Sequence, residues 1–204
     1  MPSATPEFPV PVQPAYPFAA DGVRLRPILH ADVQAVNAYR SLPEVARYLP
    51  HPPQTMADTA LTVASMIAQQ DFTTPGQWLD LAVERGPTHK AMGEVLLKWD
   101  AKNWQRGEIG FVFSPEVQGQ GVAFAACAAA LDIAFNGFGW HRVEGICDVR
   151  NEKSAALMTR LGMRLEATFV EADWSKGEWI TLHHYAILER EWYASTLIVE
   201  SEGN

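Results

Sequence analysis

The stretch that most narrows what this chain can become is Gly107 to Ala134, GEIGFVFSPEVQGQGVAFAACAAALDIA. Ile109, Phe111 and Phe113 alternate with Gly110, Val112 and Ser114, as a strand requires, and Pro115, which lacks an N–H, ends the pairing. The loop Gln118-Gly119-Gln120-Gly121-Val122-Ala123 follows. From Val122 onward Ala, Phe, Cys, Leu and Ile run without Gly or Pro until Gly137, which predicts a mostly buried helix of about four turns. Glycines at a strand-to-helix turn let the backbone approach a ligand, and the first N–H groups of the helix have no intrahelical partner, so the loop is a candidate anion site. A tight connection with no ligand is the plain alternative. No Gly-Lys-Ser/Thr follows the loop and there is no G-x-G-x-x-G, which argues against a nucleotide-hydrolase phosphate loop and against a dinucleotide fold.

A chain of 204 residues with 48% hydrophobic content is ample for one packed α/β domain and short for two. Its net charge of −8, with no basic run, argues against a nucleic-acid partner and suits a cationic acceptor. Cys127 sits in the Ala-rich helix and Cys147 in an apolar strand; both read as reduced core residues, and without paired spacing they support no metal site. Neither a membrane-length apolar run nor a signal peptide is visible, so a cytoplasmic protein without a membrane partner is expected.

Residues 1–22 form a Pro-rich arm, extended or disordered, ahead of a domain spanning 23–204. Val23 to Ile28 alternates as a first strand. A helix starts near Ala31, a second runs from Leu42 to Leu49 with Pro in its first turn, and a third covers Thr55 to Gln70. Trp78 to Glu84, Ala91 to Trp99 and the strand through Phe113 form an antiparallel meander. After the buried helix, His141 to Val149 alternates as a strand, Asn151 caps a helix from Ser154 to Leu161, and Gly162 stops it. Arg164 to Trp174 and Trp179 to Leu188 make a last hairpin around Ser175-Lys176-Gly177, and Glu189 to about Ser201 is a terminal helix or a packed tail.

Gln118-x-x-Gly121-x-Ala123 resembles the acetyl-coenzyme A signature of the GCN5-related N-acetyltransferase (GNAT) superfamily. Asn151-Glu152-Lys153-Ser154 with Leu161-Gly162-Met163 resembles that superfamily's second element, in the same order and at a similar distance. The resemblance covers roughly residues 23–190 and implies an α/β fold with a central, mostly antiparallel sheet flanked by helices. In that fold the fourth and fifth strands run parallel and splay apart, with the coenzyme in the gap. It implies a direct acetyl transfer from acetyl-CoA to a primary amine in a ternary complex, without a metal. The loop amides of Gln118, Gly119, Gln120, Gly121, Val122 and Ala123 would take the pyrophosphate, and the main chain of Phe111, Val112 and Phe113 the pantetheine. Asn151 would bond the pantetheine arm, act as a helix cap, or both, and Ser154 would place a hydroxyl near the thioester sulfur. Leu165-Glu166 and Gly107 to Phe111 resemble the branch that acetylates ribosomal-protein N-termini (the RimJ/RimL type), which makes Asp173 the first candidate base, with Glu171 and Glu108 as further candidates. Protein N-termini, aminoglycosides and other small amines stay open as acceptors, and a homodimer stays open because many superfamily members pair. A non-catalytic module that keeps the coenzyme loop as a sensor or scaffold is the competing function. His183 and His184 are adjacent on a strand, point to opposite faces and cannot chelate one ion together. Trp99, Trp104, Trp174 and Trp179 are candidates for the wall of an acceptor pocket, or for core.

Overall fold

A computed structural model describes residues 10–87 and 89–194. Among these, eight strands form one sheet in the order β1-β2-β3-β4-β5-β6-β8-β7. They are β1 (Phe18–Ala20), β2 (Val23–Pro27), β3 (Trp78–Arg85), β4 (Ala91–Trp99), β5 (Arg106–Phe113), β6 (Arg142–Asp148), β7 (Arg164–Ser175) and β8 (Glu178–Leu188). Every neighbouring pair is antiparallel except β5 and β6, which run parallel. The helices are α1 (Val33–Arg40), α2 (Pro43–Ala46), α3 (Met56–Ile67), α4 (Val122–Asp132) and α5 (Glu152–Arg160).

Period-two alternation sorts the sheet's side chains onto two faces. One face sends Leu25, Leu81, Val95, Leu97 and Ile109 into the larger core, where Ala126, Cys127, Ala130 and Leu131 of α4 meet them. The Ala content of α4 lets the helix axis approach the sheet closely, and α4 is therefore buried on nearly every side. Its Cys127 thiol is pushed well above its usual range by that burial. The opposite face packs Ala82 and Val112 against Val36 and Tyr39 of α1 and Val63 and Met66 of α3. Thr55 starts α3 with a reciprocal cap: its hydroxyl accepts from the Asp58 N–H, and Asp58 accepts from the Thr55 N–H.

Three details differ from the sequence expectation. The arm contributes β1, three residues that pair with β2, and Tyr16 and Phe18 pack on the main core. The second helix is only Pro43–Ala46; the chain then tightens into a turn in which the Leu49 N–H donates to the Ala46 carbonyl at 3.1 Å, and Pro50 bars any further helix. The buried helix ends its α-geometry at Asp132 and finishes as a π-turn over Ile133–Gly137, where Phe138 N–H reaches back to the Ile133 carbonyl. Residues 189–194 are helical, and the remainder of the expected terminal helix lies outside the described residues. The β7–β8 turn forms where expected, with positive φ at Lys176 (49°) and Gly177 (88°), the conformation a two-residue hairpin turn needs.

Candidate active site

β5 and β6 share only three rungs, Arg106 with Arg142, Gly107 with Val143 and Glu108 with Glu144. Beyond them β5 stays with β4 as far as the Phe113–Gly93 rung, while β6 stays with β8 as far as Asp148 and Leu182. The strands therefore fork, and the β5 edge from Ile109 to Phe113 has no strand partner on the β6 side. Small residues make the fork closable at its base: a Cβ on Gly107 would fall 1.9 Å from the Trp140 ring, and one on Gly145 would fall 2.6 Å from the Met158 sulfur. The fork opens into a cleft of about 810 Å³, within the range of small-molecule sites.

One end of the cleft is built from the loop after β5. Ser114 Oγ accepts from the Glu116 N–H at 3.3 Å and turns the chain into a short 3-10 turn, Pro115–Val117. Gly119 (φ 72°) and Gly121 (φ 77°) then adopt the left-handed region, with Gly121 as the N-cap of α4. A Cβ at either would meet nothing within 4 Å, so this backbone is uncovered on the side where a ligand would approach. Phe111, Val112, Phe113, Gln118, Gly119, Gly121, Ala123, Asn151 and Ser154 all line the one cleft. Gln120 and Val122 do not: Gln120 turns outward to the Glu116 carbonyl and Arg85, and Val122 is buried beneath the loop. Asn151 Oδ1 accepts from the Ser154 N–H at 3.2 Å, so Asn151 caps α5 while facing the cleft. Lys153, bonded to Gln118 Oε1 at 2.9 Å, and Arg160, stacked 4.3 Å over Phe124, add two cations at the same mouth. Neither was among the residues singled out from the sequence; the cue was a lysine inside the Asn151-to-Ser154 element and an arginine at the far end of the same helix.

The other half of the cleft lies on the sheet face covered by α1 and α2. Leu96, Gly110 and Ile146 form its floor and Trp78 one side. Val45, Tyr48, Leu49 and His51 close it from α2 and the chain beyond. A buried polar chain runs beneath. Arg40 donates from Nε to Glu94 Oε1 at 2.7 Å and from Nη1 to His51 Nε2 at 2.8 Å, while His51 Nδ1 donates to the Pro52 carbonyl at 2.8 Å. Glu94 and its diagonal neighbour Asp80 each keep one buried oxygen without a hydrogen-bond partner. Burial, reinforced by the Glu94 charge, raises Asp80 to about 7.

The three acids expected to act as bases are not among the cleft-lining residues. Glu108 is half-buried on the acceptor face at the last shared rung, one same-face step of about 7 Å from Gly110. Desolvation there raises its carboxyl above the usual range. Asp173 and Glu171 are exposed on β7, Asp173 paired with Ile180 and Glu171 in a bulge at φ 47°. Of the tryptophans, Trp99 is core, Trp104 packs against the core, and Trp174 and Trp179 stack edge-on in the exposed hairpin; Trp78 is the one on the cleft.

The family model for the acetyltransferase (GNAT) domain matches residues 23–164, from β2 through α5 to the start of β7. The chain belongs to the GNAT acetyltransferase family. This GNAT protein is similar to the uncharacterized N-acetyltransferase YnaD of Bacillus subtilis (strain 168), 39% identical over 85 residues, which are 42% of this chain and 50% of that protein. The match thus spans about half the length of that relative. Among solved structures, a GNAT-family acetyltransferase from Bacillus anthracis superposes with a TM-score of 0.76 at 27% identity, covering 84% of this chain and 98% of that one. The spermidine N-acetyltransferase from Vibrio cholerae, solved with CoA and spermine, has the same fold at a TM-score of 0.71 and 20% identity, covering 84% of this GNAT chain and 98% of that one.

Proposed function

We propose that the protein is an acetyl-CoA-dependent N-acetyltransferase acting on a primary amine in a ternary complex. The observation that carries this reading is the forked cleft itself: uncovered loop amides and the Lys153 and Arg160 cations stand at one end, an apolar-floored chamber at the other, and the unpartnered β5 edge runs between them. The residues fit acetyl-CoA. Amides at the start of α4, aided by the helix dipole, would hold the pyrophosphate, and the edge from Ile109 to Phe113 would pair with the pantetheine amides as an added strand would. The thioester then meets the chamber where the strands part, and the amine attacks its carbonyl carbon. The C–S bond breaks, and the amine's proton must leave while the thiolate gains one.

Ser154, at the cleft, would hydrogen-bond the sulfur as negative charge develops on it. Of the candidate acids, Glu108 is nearest the fork, and burial suits it to accept the amine proton through a water. Neither cysteine suits a covalent route: Cys127 is buried, and the Cys147 thiol is pushed up to about 11, mainly by burial. Protein N-termini of the ribosomal type and small amines are both acceptors of this chemistry. Incubation with acetyl-CoA and a mixture of amines and N-terminal peptides, read by mass spectrometry, tests the reading: a product heavier by one acetyl group is expected, and acetyl-CoA binding without any acetylated amine would return the protein to a sensor or scaffold.

A further inference from the structure

The geometry of the chamber points to an acceptor whose amine is carried on an apolar body, an alkyl or arylalkyl amine rather than a polyamine or aminoglycoside. The assignment rests on the transferase reading above. Ile146 occupies mid-strand on the acceptor face of β6 yet is 38% exposed, an apolar side chain in the middle of a sheet with open space above it. Leu96 of β4 shares that face: a Cβ on Gly110 would touch Leu96 at 3.7 Å, whereas a Cβ on Gly145 would point to Ile109 and α5 on the other side. Leu96 and Ile146 thus floor the chamber, with Trp78, Val45, Leu49 and Pro50 around it.

Most polar groups that border the chamber are engaged, and the unpartnered oxygens of Asp80 and Glu94 lie buried beneath it. Glu94 is fully buried against Arg40, and Arg40 spends another N–H on His51. Asp148 is held by Arg150 at 2.6 Å. Lys98 stands 4.9 Å over the Trp78 ring, so a further cation borders that wall. Glu44 is exposed at the rim. A polyamine that presents one neutral nitrogen to the thioester brings additional ammonium groups into this space, where the carboxylates among the described lining residues are Glu44 at the rim and Asp148, already held by Arg150, and where Arg40 and Lys98 add two nearby cations. A desolvated, unpaired ammonium is strongly disfavoured. An aminoglycoside needs many hydrogen-bond partners that the chamber does not offer. One amine on an apolar body satisfies both conditions.

Calorimetry of amines added to protein saturated with CoA tests this directly. 2-Phenylethylamine and hexylamine should bind at least about tenfold more tightly than spermidine or kanamycin, since an additional ammonium, or several hydroxyls, left unpaired in the chamber costs at least that much. A short peptide with an N-terminal Phe carries the same apolar amine next to a peptide group; its rank against 2-phenylethylamine separates a chain terminus from a free amine. Ile146→Glu should shift preference toward spermidine by about tenfold, whereas Ile146→Gln should weaken the apolar amines without helping spermidine. Spermidine or kanamycin binding as well as the apolar amines, or no amine of the panel binding, overturns the assignment. Apolar amines that bind first but are never acetylated when acetyl-CoA replaces CoA leave the chamber assignment standing and remove the transferase reading.

Discussion

At Gly121 two requirements meet in one residue: φ is 77°, and the space a side chain would enter is the space the loop amides face. Gly121→Glu should cost about 1 kcal/mol in stability from the left-handed backbone and abolish acetyl-CoA binding by setting a carboxylate against the pyrophosphate. Calorimetry with acetyl-CoA, beside a thermal melt, reads both; a folded variant with unchanged affinity removes the loop from the site. Glu108 makes a different demand. Burial raises its carboxyl above the usual range, so it becomes the deprotonated form only above that raised value, and turnover should fall as pH drops through it. Glu108→Gln should erase this acid limb and lower kcat by about a hundredfold at neutral pH, while Asp173→Asn leaves the profile in place. A profile that moves with Asp173→Asn and not with Glu108→Gln would transfer the base to the hairpin. Gln118, Gly121, Asn151 and Ser154 were legible in the sequence because their spacing is local: each sits within one turn of a helix start. Trp78, Leu96 and Ile146 were not, because each reads as an ordinary alternating strand residue and becomes a chamber wall only when β3 to β6 are set side by side and the last two fork.

The fork between β5 and β6 is held by three rungs, and its base is closed by Gly107 lying flat against Trp140. Gly107→Ala places a Cβ 1.9 Å from a carbon of the fully buried Trp140 ring, so the ring or the strand must shift. Overpacking of this kind should destabilise the protein by about 3 kcal/mol and, by prising the rungs apart, weaken acetyl-CoA binding as well. Urea unfolding and calorimetry on the same variant check the pair; a stable variant with normal affinity would show that Trp140 relocates freely. Strand alternation made most elements legible: β3, β4, β5 and β8 lie within a few residues of their expected bounds. The misses have physical causes. β1 is three residues in a Pro-rich segment and owes its existence to β2 beside it, and the π-turn after Asp132 is a packing adjustment without a local sequence cue. The fork was implied by family resemblance alone, since alternation says that a strand exists and not where its partner leaves it.

For the molecule as a whole, the least comfortable feature is the acid pair under the chamber. Asp80 is 2% exposed, and its Oδ1 has no hydrogen-bond partner; on the next strand Glu94 is fully buried and takes the guanidinium of Arg40. The ion pair thus compensates Glu94, and Asp80 avoids charge by keeping its proton to about pH 7, against 3.8 without the fold. The sign of the linkage follows from these two values. Between them the native state binds a proton that the unfolded chain has released, so stability is full below about pH 4 as far as this group is concerned. It is lost progressively as pH rises toward 7. The full separation corresponds to an upper bound of about 4 kcal/mol, and coupling to Glu94 makes about 2 kcal/mol the better expectation. Asp80→Asn keeps the shape and removes the titration. It should stabilise the protein by about 2 kcal/mol at pH 8 and by almost nothing at pH 4.5, a difference read from urea unfolding of both proteins at the two pH values. A variant less stable than the parent at pH 8 would mean that Asp80 is ionised and partnered in the fold, and that Arg40 serves both acids instead of Glu94 alone.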